Sequence, residues 1–88
     1  MHTTKENKLW LLIEESLIAN AQKPCISYKG VELSYNEVHK RVYLTTSFLF
    51  DKQVASIYNN CSNPIYFITL QLASIQLGRE CKINCVRL

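Results

Sequence analysis

The sequence predicts a small α/β unit: an N-terminal helix, a β-hairpin, a capped second helix and a closing βαβ unit. Three observations carry that prediction. Thr3 and Glu6, and again Ser34 and Glu37, stand at the spacing of a capping box, while Asn63-Pro64 joins a capping side chain to a proline at the first helical position. Lys29-Gly30 separates two short β-prone runs, the pattern of a two-residue hairpin turn. The helical stretch 64–77 is flanked by β-prone runs at 54–58 and 80–85.

The first helix is expected over 5–19. Leu9, Ile13 and Leu17 recur at helical spacing, with Trp10 and Leu12 at the edge of the stripe, while Lys8, Glu14 and Glu15 stay in water. Asn20 ends it, since asparagine tolerates the left-handed conformation. A hairpin follows over 25–33 with Gly30 taking positive φ. The second helix runs over 35–50, with Val38, Val42, Thr45 and Leu49 inward and His39, Lys40 and Arg41 outward. His39 is a candidate acid or base. It lies beside Lys40 and Arg41, with no carboxylate at helical spacing, so its expected place is a solvated face.

A strand at 54–58 leads through an Asn- and Ser-containing loop into the third helix, 64–77. Ile65, Ile68, Leu72 and Ile75 form one stripe, yet Tyr66, Phe67, Leu70 and Leu77 make the helix apolar nearly all round, so it should be buried on more than one side. Gly78 stops it. The strand 80–85 sets Cys81, Ile83 and Cys85 on one face, and the two strands should be parallel with a right-handed crossover. Parallel sheets ordinarily contain more strands and are covered on both faces. Residues 1–88 are therefore expected to be one incomplete subdomain of a larger body.

Composition bounds the function. With 88 residues and 10.2 kDa the chain is one small domain. Size scaling gives roughly 5,300 Å² exposed when compact against roughly 14,800 Å² unfolded, which leaves a thin core. An apolar content of 48% with 19% charged residues excludes an intrinsically disordered chain, and two glycines cannot build a Gly-rich phosphate loop. The net charge of +3 comes from basic residues spread along the chain, without the cluster that nucleic-acid binding needs. The apolar run 9–13 is interrupted by Glu14 and Glu15, so it is neither a signal peptide nor a membrane span. The expected location is the cytoplasm, with Cys25, Cys61, Cys81 and Cys85 as reduced thiols. A metal site using Cys81, Cys85, Cys61 and a histidine, His2 or His39, is the sharper reading. Zinc sites usually come as two tight pairs, so the cysteines read as small buried hydrophobes.

The order of elements, together with Leu33-Ser34-Tyr35-Asn36-Glu37-Val38, resembles the opening of the acyl-adenylate-forming enzymes: acyl-CoA ligases, luciferases and the adenylation domains of peptide synthetases. Their first motif has the form Leu-Thr/Ser-Tyr-x-Glu-Leu, with Val38 replacing the last residue here. Asn60, Leu72-Ala73 and Gly78 fall where the family has an Asn-containing loop and a helix ending in a Leu-Ala and Gly pattern. The tail from Lys82 to Leu88 looks most like that of the 2-succinylbenzoate–CoA ligases of menaquinone synthesis, with one extra residue between Asn84 and Arg87. The passage Asp51-Lys52-Gln53 departs from the family, which usually has a Gly-containing turn there.

The resemblance implies the N-terminal portion of an ATP-dependent carboxylate–CoA ligase, which forms acyl-AMP and then acyl-CoA. The phosphate loop, ribose-binding Asp and catalytic Arg and Lys of that family all follow the matched stretch. No catalytic, cofactor-binding or metal-ligating residue carries over, and ATP, Mg and CoA are expected only for the full-length parent. The expected partners are the remainder of the ligase, or self-association through apolar surface. The alternative is a stand-alone interaction protein that oligomerises or docks through its apolar third helix.

Overall fold

The computed structural model describes residues 7–54 and 56–83. It is a mixed α/β arrangement in the order α1 (Lys8–Ala19), β1 (Pro24–Tyr28), β2 (Val31–Ser34), α2 (Tyr35–Asp51), β3 (Ile57–Asn59), α3 (Pro64–Leu77) and β4 (Cys81–Ile83). β1 and β2 form an antiparallel hairpin, and β3 and β4 form a separate parallel pair across α3. The whole is a slab of 40 × 38 × 20 Å, about two layers of secondary structure thick.

The first helix keeps Ile13 and Leu17 of the expected stripe on the core but exchanges Leu9 for Trp10, which was expected at its edge. Trp10 and Leu17 are buried and Ile13 packs on the core, whereas Leu9 and Leu12 face out. Taking Trp10 in place of Leu9 at the N-terminal end lets the bulkiest apolar side chain into the core. The Thr3–Glu6 box lies outside the described residues. Asn7 precedes the helix without a side-chain cap, and its amide instead donates to the Gln76 carbonyl at 2.8 Å, tying the start of α1 to the end of α3. Asn20 does stop the helix, but not by adopting positive φ. At φ −110° its side-chain amide donates to the Ser16 carbonyl at 2.8 Å, the same carbonyl that accepts the Asn20 backbone N–H, so side chain and backbone together close the last turn.

The hairpin turns at Lys29 and Gly30, both at positive φ (49° and 83°), as a two-residue turn matched to strand twist requires. The register shifts between Pro24 and Ile26, so Cys25 stands at an irregularity in the ladder. Ser34 then caps α2 reciprocally: its Oγ accepts from the Glu37 N–H at 3.2 Å, and Glu37 Oε1 accepts from the Ser34 N–H at 2.8 Å. The loop before the hairpin is pinned to the same point, because the Tyr35 and Asn36 amides donate to the Lys23 and Ala21 carbonyls.

Both later helices end in a Schellman motif. After α3, Gly78 at φ 78° lets its own N–H reach the Ile75 carbonyl and the Arg79 N–H reach the Ser74 carbonyl. After α2, Gln53 at φ 53° plays the glycine's part, its N–H on the Phe50 carbonyl and the Val54 N–H on the Leu49 carbonyl. Val54 is thus spent on ending the helix, which is why β3 begins at Ile57 instead of at 54.

Packing centres on α2 and α3. Val38 and Val42 of α2 and Ile65 and Ala73 of α3 join Trp10, Leu17 and Leu33 in one cluster. Of the expected stripe on α3, Ile65 is buried and Leu72 and Ile75 pack against the core as partly buried residues, whereas Ile68 is exposed; Thr69, Ala73 and Ser74 complete the inward line. Small residues there admit the neighbouring helix closely, and the Thr46 hydroxyl of α2 lies 3.5 Å from the Ala73 carbonyl. Thr69 and Ser74 return their hydroxyls to the carbonyls one turn back, at 2.7 and 2.8 Å, so no buried hydroxyl is stranded. On β4, Cys81 is half-buried while Ile83 is exposed, and Cys85 lies outside the described residues. Among the described residues no helix is long and apolar enough to cross a membrane.

Candidate functional site

Among the described residues, two side-chain clusters bring chemistry-bearing residues together. The first lies on the seam between α1 and α2. His39 is half-buried, not solvated as its neighbours suggested, and its Nε2 is 3.1 Å from Glu14 Oε2. The Trp10 ring stands beside it, with centroids 6.4 Å apart and planes tilted by 46°. The carboxylate that helical spacing failed to supply comes from another helix, 25 residues away. In the sequence, Trp10 and Glu14 at i and i+4 on one helix face were the only trace of such a pocket.

Beside this pair is an open groove of about 540 Å³ lined by Glu14, His39, Lys40, Tyr43 and Leu44. Its walls are mainly the apolar parts of these side chains. A histidine held by a carboxylate is oriented for proton transfer, but a dyad performs chemistry only with a nucleophile or a substrate-positioning group in reach. The observed role is mechanical: a hydrogen-bonded clasp of α1 on α2, partly in solvent.

The second cluster sits at the carboxyl end of β3. Asn59 is 0% exposed, and both N–H donors and the oxygen of its amide are hydrogen-bonded. Its Nδ2 donates to the Phe67 carbonyl and to Gln71 Oε1, both at 3.0 Å, and its Oδ1 accepts from the Cys61 N–H at 3.2 Å. Gln71 Oε1 also accepts from the Cys81 thiol of β4 at 3.1 Å. One buried amide thereby ties β3, the following loop, α3 and β4 together. Sequence reasoning placed the loop's key asparagine at Asn60, which is exposed. Asn59 was legible only through strand alternation, Ile57 and Asn59 facing in and Tyr58 out.

Asn63 caps α3 by accepting the Ile65 N–H at 2.8 Å, with Pro64 next to it. These hydrogen bonds serve the fold. Cys25, Cys61 and Cys81 are free thiols, and burial pushes the Cys25 thiol pKa above its ordinary value. His2 and Cys85 lie outside the described residues. Among the described residues no three of His, Cys, Asp and Glu come together as a metal-binding group. Tyr58 and Lys82, in register on the face of the parallel pair away from α3, make a cation–π contact at 5.9 Å.

The chain matches no protein-family model, no curated protein and no solved structure.

Proposed function

We propose that the chain is a non-catalytic scaffold layer, the N-terminal portion of an ATP-dependent carboxylate–CoA ligase of the adenylate-forming type, working in the cytoplasm. The observation that carries this reading is the parallel β3–β4 pair. Its two strands are three residues each, α3 covers one face, and the other face bears Tyr58 and Lys82. Parallel strands owe their stability to further strands and to cover on both faces, so this pair is suited to being extended by a larger body. The capping box at Leu33–Val38 and the glycine stop at Gly78 are structural motifs that the resemblance shares with that family. In this reading ATP, Mg and CoA are handled by the remainder of the enzyme, with 2-succinylbenzoate the acid that the tail's resemblance implies.

The purified chain, given ATP, Mg²⁺, CoA and 2-succinylbenzoate, is expected to release no pyrophosphate above a blank. Pyrophosphate release by the chain alone would overturn the proposal.

A second reading, a free-standing interaction protein, is favoured by a different observation. Leu9, Leu11, Leu12 and Ile18 on α1 and Tyr43, Leu44, Phe48 and Phe50 on α2 are all exposed. The expected docking element was α3, but among the large apolar side chains of that helix only Tyr66 and Ile68 are exposed, and its remainder is covered by the chain itself. The surplus apolar surface lies on α1 and α2.

A further inference from the structure

We propose that α1 pairs antiparallel with α1 of a second copy of this chain, forming a two-fold dimer across the stripe Lys8, Leu11, Leu12 and Glu15. This goes beyond the scaffold reading and does not rest on it, because it uses a surface separate from the parallel strands.

The four side chains stand at i, i+3, i+4 and i+7, so they share one helix face, and all four are exposed around a shallow depression of about 290 Å³. Leu12 is 65% exposed. The order of the stripe is basic, apolar, apolar, acidic, with the charges about 10.5 Å apart along the axis. A two-fold interface must be complementary to itself. When two such stripes cross antiparallel about a point between Leu11 and Leu12, each Lys8 meets Glu15 of the second copy, and each Leu11 meets Leu12 of the second copy. A parallel pairing sets Lys8 against Lys8 and Glu15 against Glu15, so the charges select the antiparallel one. Lys8 and Glu15 are too far apart for an intrahelical pair, so their charges are unspent within α1.

The stripe is the face of α1 turned away from Trp10, Ile13 and Leu17, which pack on the core, so nothing in the described residues of the chain covers Leu11 and Leu12, exposed by 49% and 65%. Apolar contact supplies the affinity, and the ion pairs, worth little each, set direction and register.

Sedimentation equilibrium of the whole chain tests this. The wild type is expected to shift from monomer to dimer with concentration. Lys8→Glu and Glu15→Lys, each bringing like charges together at both ends of the seam, should each weaken the dimer about tenfold. The double variant K8E/E15K, which restores opposite charges with signs exchanged, should return to within about twofold of wild type. Leu12→Asp should leave a monomer with unchanged helix content by circular dichroism. A chain that stays monomeric at every concentration overturns the proposal. So does a dimer indifferent to the single reversals, or a double variant no tighter than the singles. The reversals lie on exposed positions, so they remain decisive if Leu12→Asp fails to fold.

Discussion

Gln53 and Gly78 occupy the same position in two Schellman motifs, at φ 53° and φ 78°, yet only glycine takes that conformation without a Cβ clash. Gln53→Gly is expected to stabilise the chain by about 0.5–1 kcal/mol, read as a higher denaturation midpoint at unchanged slope. Asn59 is the opposite case, a residue whose every donor and acceptor is matched. Asn59→Ala removes the acceptor of the Cys61 N–H and one donor to Gln71 Oε1 and should cost about 1–3 kcal/mol, with loss of protection at the Cys61 amide in hydrogen exchange. Local signals made Ser34, Glu37, Asn63 and Gly78 readable in advance, because each cap is closed by residues two to four positions away. Asn59 was missed because its partners Phe67 and Gln71 lie eight and twelve residues on.

At the scale of elements, the order and kind of every helix and strand followed from capping pairs, the Lys29-Gly30 turn and apolar periodicity. What periodicity could not supply was the rotation of each helix about its axis. On α1 the stripe through Leu9 and the stripe through Trp10 are one position apart, and only the cluster around Val38, Val42 and Leu33 decides which goes inward. On α3, apolar all round, Thr69 and Ala73 were chosen by the close approach of α2 rather than by hydropathy. The α1–α2 seam is held by packing around Trp10 with Glu14 and His39 at its rim. Both side chains are partly in solvent, so the pair is worth only about 0.5–1 kcal/mol. Glu14→Ala should lower the thermal midpoint by a few degrees and shift the emission of Trp10, the chain's one tryptophan and therefore a local reporter.

For the molecule as a whole, the flat 40 × 38 × 20 Å shape and the two unconnected strand pairs describe a layer with much surface for its core. Its stability should be uneven. The hairpin, α2 and α3 share the buried cluster, whereas β3 and β4 lie outside it, held by three residue pairs, Ile57 with Cys81, Tyr58 with Lys82 and Asn59 with Ile83, and by the hydrogen bonds of Asn59 and Cys81 to α3. Such a ladder opens locally without unfolding the rest. Residue-resolved hydrogen exchange of the isolated chain measures this most directly. Amides of the β3–β4 ladder should exchange at least about a hundredfold faster than those of Val38 and Val42 in α2, as expected for a sheet shaped to be completed by a larger body. Equal protection in the ladder and in α2 would show a sheet sufficient to itself, and would contradict the scaffold account.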